Sequence, residues 1–375
     1  MAGFAFRRAL LIVLVTGFLL PSGCSKRPAG ELRVQGPGMQ PQLGFACCDQ
    51  GLDEAQSLFA QPGVLTQLQS LHATIAVPTL DFSAQRANLV RTLHQQGIPV
   101  IAWIMLAKEK GYYLNADNAQ EAAARLTAFE QWTRANNLHW AAVGLDIEPN
   151  FAALGQLRGH RWRLAMTLLG RSVELGRLRR ARKAYAELIG LIHTWGYPVQ
   201  IYAMPYVPAE RAVHSSLADR LLGTVDVRGD QNYLMLYTTS ARRVGAAMIW
   251  SLGRNAWGIT VGSTDGLGTP GQGNGPLDWT EFSRDLIVAS HFTPHIGVYN
   301  LEGCIRQGFL PRLLAMNWSQ TVVIPAAQAQ RAERIGWLSR SVLWVGSNLI
   351  CLVAAALILS WLVWRRRRRR RAPLS

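Results

Sequence analysis

Two carboxylates stand two residues apart at the end of an apolar run: Ala141 to Asn150 reads A-A-V-G-L-D-I-E-P-N. Side chains alternate faces along a strand, so Asp146 and Glu148 point the same way. Pro149 cannot extend a central ladder, so the strand ends at the acids. Acids paired in this way suit glycosidic cleavage. One carboxyl group protonates the leaving oxygen, and a second carboxylate attacks or stabilises the sugar cation. The plainer reading is an Asp and a Glu opening a solvated loop, since charge at a strand end is common.

Other acids close other apolar runs: Asp49, Asp81, Asp265 and Glu302. Trp103, Tyr206, Tyr237 and Tyr299 lie near such ends, where rings stack on sugar faces, although an aromatic residue in a strand also serves as core. Other chemistries lack their residues. No G-x-S-x-G, H-E-x-x-H or P-loop is present, and the eight histidines are scattered. None of the five cysteines falls in a C-x-x-C pattern, so no metal site and no cofactor is expected. Gly266-Leu-Gly268-Thr-Pro-Gly271 matches G-x-G-x-x-G. A dinucleotide site needs a helix to start there, but Pro270, Gly273, Gly275 and Pro276 keep the chain irregular until Asp278. A loop over the site is the expectation.

These acids need a scaffold that brings strand ends together. Eight β-rich runs supply one: Gln42–Asp49, His72–Asp81, Pro99–Ala107, Ala141–Asn150, Pro198–Val207, Gln231–Ser240, Trp257–Asp265 and His295–Glu302. Helical patterns lie between them, at Ser83–Gln96, Asn118–Asn136 and Arg180–Thr194, and Asp278-Trp-Thr-Glu281 reads as a capping box. This alternation predicts an α/β chain with a (β/α)8 TIM barrel over 43–317, whose strand ends carry the acids on one rim. A doubly wound open sheet is the competing arrangement.

Both ends carry targeting signals. Arg7 and Arg8, an apolar run from Ala9 to Leu20, then Pro-Ser-Gly-Cys24 read as a signal peptide over 1–24, with Cys24 a lipidation candidate. A Pro- and Gly-rich linker is expected over 25–42. After a juxtamembrane stretch (318–342), Leu343–Trp364 is almost wholly apolar, and as a helix would reach roughly 33 Å, enough for a transmembrane helix. Arg365 to Arg371 follow at once in a basic tail (365–375), which the positive-inside rule places in the cytoplasm and the barrel outside it. Those seven account for much of the net charge of +16; without them 32 basic residues face 23 acidic ones. A nucleic-acid partner does not follow from that balance. The basic stretch Arg158 to Lys183 reads either as a solvated helix face or as a grip on an anionic polymer or lipid headgroup. In an oxidising compartment Cys304, just past the eighth strand, is expected to pair with Cys47 or Cys48 at the end of the first and so close the barrel seam, unless all three remain packed thiols.

The strand ends resemble the chitinase-like family 18 glycoside hydrolases, which carry D-G-x-D-x-D-x-E on strand four, A-x-P on strand five and M-x-Y-D on strand six. Here stand Gly144-Leu-Asp146-Ile-Glu148, Ala203-Met-Pro205 and Met235-Leu-Tyr237. Val143 replaces the first Asp, and Thr238 the Asp after Tyr. Aligned on Gly144, Asn150 falls on the family's catalytic Glu; aligned on the acids, Asp146-x-Glu148 matches D-x-E. The resemblance implies a glycosidase-type barrel rather than a chitinase, hydrolysing O-glycosyl bonds of a cell-envelope or secreted polysaccharide. Glu148 is then the expected general acid, its pKa raised by an apolar mouth and by Asp146, which orients it. Glu302 is a second candidate carboxylate. Tyr237, Asn150, Trp103, Tyr206 and Asp49 are expected to bind substrate. A catalytically silent barrel that binds envelope glycan is the alternative, favoured by Asn150 in the first alignment.

Overall fold

Leu43 and Phe45 of the first barrel strand are fully buried on one face, while Gly44 and Ala46 take the other, and this parity runs round the whole sheet. The computed structural model describes residues 31–48, 51–150, 161–265 and 275–370. In chain order the elements are β1 (Leu32–Gln35), β2 (Gln42–Ala46), α1 (Leu52–Phe59), α2 (Val64–Ser70), β3 (Thr74–Pro78), α3 (Ala84–Gln95), β4 (Val100–Ile104) and α4 (Ala119–Ala135). Then come β5 (Ala142–Asp146), α5 (Arg161–Ser172), α6 (Leu175–Thr194), β6 (Val199–Ala203), α7 (Val207–Ala212), α8 (Leu217–Leu222), β7 (Gln231–Met235) and α9 (Ala247–Leu252). The chain finishes with β8 (Gly258–Gly262), α10 (Trp279–Ser290), β9 (His295–Tyr299), α11 (Leu301–Arg306), α12 (Phe309–Leu314), β10 (Thr321–Ile324) and α13 (Ala326–Arg370).

Strands β2 to β9 form a closed parallel barrel, one for each apolar run read from the sequence. Closure is made by β2 against β9, with Gln42 opposite His295 and Ala46 opposite Tyr299. An open doubly wound sheet is therefore excluded. The expected helices are also present. Ser83 caps α3 by accepting from Arg86 N–H at 3.1 Å, and Asp278 with Glu281 forms the capping box that opens α10. Each such cap contributes about 1 kcal/mol.

Two cores result from the strand parity. Outward residues such as Phe45, Ile75, Val77, Val143, Leu145, Val261 and Val298 pack under the helices, each contributing about 1.5–3 kcal/mol on burial. Inward residues Ala76, Ile101, Trp103, Met105 and Ala142 form a separate cluster in the lumen. The lumen is filled by large residues set against small ones: a Cβ on Gly258 would stand 2.5 Å from the Tyr233 ring, and one on Gly144 would stand 3.1 Å from the Tyr202 ring. Tyr202 and Tyr233 stack at 5.5 Å. The barrel is thus plugged below its mouth, not a pore.

Two features lie outside the barrel. β1, inside the stretch read as linker, pairs antiparallel with β10, from Leu32 opposite Ile324 to Gln35 opposite Thr321. α13 begins against the barrel wall: Leu343 is buried among Ala209, Leu217, Ala218 and Leu222, and the Ser215 and Ser347 hydroxyls lie 2.7 Å apart. Among the described residues no single helix is long and apolar enough to cross a membrane. The segments Ala326–Leu349 and Cys351–Arg366, bent by 63°, pass that test together. The signal peptide with Cys24, the loop from Gly266 to Gly271 and the last residues of the tail lie outside the described residues.

Candidate active site

Asp146 is the last residue of β5 and shares inward parity with Ala142 and Gly144, so its carboxylate enters the mouth of the lumen, where it is 4% exposed. The strand does not run on to Glu148 as expected. Instead a single bridge replaces the ladder: Leu114 N–H donates to the Asp146 carbonyl at 3.0 Å, and Glu148 N–H donates to the Leu114 carbonyl at 3.0 Å. This clamp grips Ile147 from both sides and holds Glu148, half-buried, at the rim. Leu114 is itself fixed by its loop. Asn118 accepts from Asn115 N–H at 2.8 Å and donates to the Lys110 and Tyr113 carbonyls at 3.0 and 2.9 Å, and the Tyr185 hydroxyl donates to the Asn115 carbonyl at 2.9 Å. Burial drives the Tyr185 pKa upward, so it stays a neutral donor. Asn150 turns toward this loop, its Nδ2 3.4 Å from where a side chain on Gly111 would begin.

The wall of the mouth is aromatic. Trp103, 5% exposed, belongs to the lumen cluster, and Tyr112, Tyr113 and Tyr299 pack against it. Its indole N–H is buried with no hydrogen-bond partner among the described residues. Tyr237, two residues beyond β7, faces Tyr299 with ring centroids 5.7 Å apart. Thr238, at the family's Asp position, does not face the mouth; its hydroxyl donates to the buried Asp285 of α10. Burial raises the Asp285 pKa. Tyr202 lies beside Asp146 in register, and burial first, then Tyr233 and the Asp146 charge, raise its pKa well above the usual phenol value.

Glu302 takes a different place from the β5 pair. It sits in the first turn of α11, 5% exposed, and its carboxylate accepts from Cys48 N–H across the β2–β9 seam. The neighbouring rim is a polar network. Asn300 caps α11 and donates to Asp265 at 2.5 Å, and the Ser263 hydroxyl donates to the other Asp265 oxygen at 2.5 Å. The Gly262–Ser263 and Tyr299–Asn300 peptides in this network are cis.

The structure therefore gathers Asp146, Glu148, Trp103 and Tyr237 at one mouth, with Glu302 at its seam. It does not bring Tyr206 there. The Tyr206 hydroxyl bonds Thr224 beside Asp219, outside the lumen, and burial, then the Asp219 charge, raise its pKa. Asp49 lies outside the described residues. Asp81 faces α3: burial opposes its ionisation, but hydrogen bonds from Arg86 and Ser83 bring its pKa down to about 2. Tyr112, Tyr113 and the Leu114 clamp escaped the sequence reading. The only trace of them there is the Asn115-x-x-Asn118 spacing of a side-chain-braced turn.

The disulfide expectation is corrected. Cys47 bonds Cys48, and Cys304 is a free, buried thiol whose Sγ lies 3.8 Å from Thr264 Oγ1. The strands meet as expected, but Asn300 starts a helix at the end of β9. Cys304 therefore turns toward Thr264, away from the seam.

A recess of about 350 Å³ opens at the opposite end of the barrel, lined by Glu130, Arg134, His139 and Tyr197 among others. It lies at the N-terminal ends of β5 and β6, where barrels keep stability rather than chemistry. Among the described residues, no group of three or more His, Cys, Asp or Glu is placed to hold a metal ion.

No family model matches this chain, and no curated protein matches it. Among solved structures it is similar to the PgaB (BpsB) glycoside hydrolase domain from Bordetella bronchiseptica, at 8% identity and a TM-score of 0.43. That likeness covers 74% of this chain and 98% of the other.

Proposed function

We propose that this chain is a membrane-anchored, extracytoplasmic glycoside hydrolase acting on a cell-envelope or secreted polysaccharide. The observation that carries the reading is the pair at the end of β5: Asp146 buried in an aromatic mouth, and Glu148 held two residues on by the Leu114 clamp. Glu148 is the general acid that gives its proton to the glycosidic oxygen. Asp146 orients it and adds negative charge beneath the developing oxocarbenium ion. The half-buried Tyr237 and Tyr299 supply stacking faces and a hydroxyl for the sugar, and the buried Trp103 backs the wall of the mouth behind Tyr299. Glu302 is the reserve second carboxylate. The family 18 resemblance belongs to this reading and is confined to the three strand ends that carry it. The apolar segment of α13 and the arginines after it would anchor the barrel outside the cytoplasm. A cytoplasm-dependent reporter fused after Gly308 should accordingly stay silent.

Asn150, which takes the acid position in one alignment, favours the second reading, a silent glycan-binding barrel. Hydrolysis of a panel of β-linked and amino-sugar polymers by the full chain separates the two. Glu148→Gln should lower the rate by about 10²–10⁴-fold. Undiminished hydrolysis in that variant would remove Glu148 from its role, and binding without hydrolysis in the parent protein would establish the silent barrel.

A further inference from the structure

α5 carries two apolar faces, and only one of them is covered. Leu164 and Leu168, with Thr167 and Arg171, are half-buried against the body of the protein. On the opposite side Trp162, Met166 and Leu169, with Val173 one residue past the end of the helix, follow one another at steps of four, three and four residues, with exposures of 76%, 48%, 63% and 61%. Such spacing makes one continuous stripe along a helix, and it points straight away from the barrel. Exposed Arg163 flanks it, and exposed Arg179 and Arg180 follow at the start of α6, whereas Arg171 and Arg177 are held by Asp117 at 3.6 and 2.5 Å.

What covers this stripe is indicated by its neighbours. The Arg171 guanidinium donates to the Leu221 carbonyl at 3.3 Å, and Arg220 donates to the Ser172 carbonyl, so the end of α5 is stitched to α8. Leu217 and Leu222 of α8 in turn pack on Leu343 of α13. α8 thus joins the helix with the bare stripe to the helix whose continuation, residues 351–364, is almost wholly apolar and exposed throughout.

We infer that α5 lies in the headgroup region of the membrane that α13 enters, as a second attachment that takes anionic phospholipid. A helix with an apolar stripe, a tryptophan and flanking arginines suits that boundary. The inference rests on the membrane-anchor reading above and adds an orientation to it. The end of α5 is bonded through Arg171 to Asp117, in the loop beyond β4 that also carries Leu114, so the second attachment brings the barrel mouth down to the membrane surface. The glycan is then taken where it meets the lipid, not in free solution.

The test uses the full chain on a Cys24→Ser, Cys351→Ser background, reconstituted in vesicles of phosphatidylcholine and phosphatidylglycerol. Spin labels are placed singly through Met166→Cys, Leu169→Cys, Leu357→Cys and Ser70→Cys, and collision rates with oxygen and with a water-soluble nickel chelate are compared. Labels at 166 and 169 should favour oxygen, as should 357 in the anchor, while 70, across the barrel, favours nickel. Nickel preference at 166 and 169 with oxygen preference at 357 overturns the second attachment and leaves the anchor standing. Nickel preference at 357 overturns both. Spin–spin broadening at 169 would show a second copy of the chain on the stripe and would also overturn the lipid assignment.

Discussion

Glu210 gives the sharpest test of the electrostatics beneath the C-terminal helix. It is 3% exposed in α7, and its carboxylate accepts from Ala218 N–H at 2.7 Å, Asp219 N–H at 3.3 Å and the Ser215 hydroxyl at 3.0 Å. Burial, then the nearby Asp219 charge, push its pKa from 4.5 up to about 7 against those three hydrogen bonds. Between the two values the folded protein holds a proton that the unfolded chain has released. Stability therefore falls as pH rises from about 4.5 to about 7, and the loss is complete above that window. At about 1.4 kcal/mol per unit, the whole effect is on the order of 3 kcal/mol. Glu210→Gln removes the titration. It retains an acceptor for Ala218 and Ser215 but turns an amide donor toward Asp219 N–H, at a pH-independent cost of about 1–2 kcal/mol. The variant should be less stable than the parent at pH 5 and more stable at pH 8, with the curves crossing inside the window. Thermal unfolding of both proteins in the same detergent, followed by circular dichroism at intervals from pH 5 to 8, reads the difference. Subtracting the curves cancels other groups, such as His94 and His295, whose pKa values burial lowers. A difference that stays constant across the range would refute the buried-acid account.

Three further outcomes are expected. Gly258→Ala pushes a methyl group into the Tyr233 ring, which is held by Tyr202 at 5.5 Å and Trp257 at 5.2 Å, so urea unfolding should show a loss of about 1–3 kcal/mol. Asn118→Ala removes four hydrogen bonds, one of them the long contact from the Tyr185 hydroxyl, from the loop that carries Leu114 and should cost about 2–4 kcal/mol. In that variant hydrogen exchange should show lost protection at the Leu114 and Glu148 amides while the β6 amides stay protected. Non-reducing peptide mapping should find Cys47 joined to Cys48, and Cys304 unreactive until the protein is denatured, since burial raises its thiol pKa.

The barrel was legible because its signals are local. Each apolar run is bounded by turn residues, and eight such runs separated by helical patterns leave few ways to bury their faces. Ser83 and the Asp278–Glu281 box were readable for the same reason: a cap involves residues three apart. That Asp146 shares a face with Ala142 and Gly144 is readable from a strand's period of two, and that the strand stops near it from Pro149. Parity does not say what holds the chain where the strand stops. Glu148 is held by Leu114, a contact across 34 positions whose donor and acceptor are backbone atoms, and backbone atoms leave no mark in a sequence. Cys304 went astray similarly, because an Asn300 cap turned strand into helix three residues earlier than the eighth apolar run suggested. Tyr206 was grouped with the rim aromatics by its position after β6, yet only packing decides that its hydroxyl meets Thr224. Spacing along the chain thus determined which residues lie on which strand and face. Which side chains share a site depended on how the loops beyond the strand ends fold back, a choice made by hydrogen bonds and burial between distant segments.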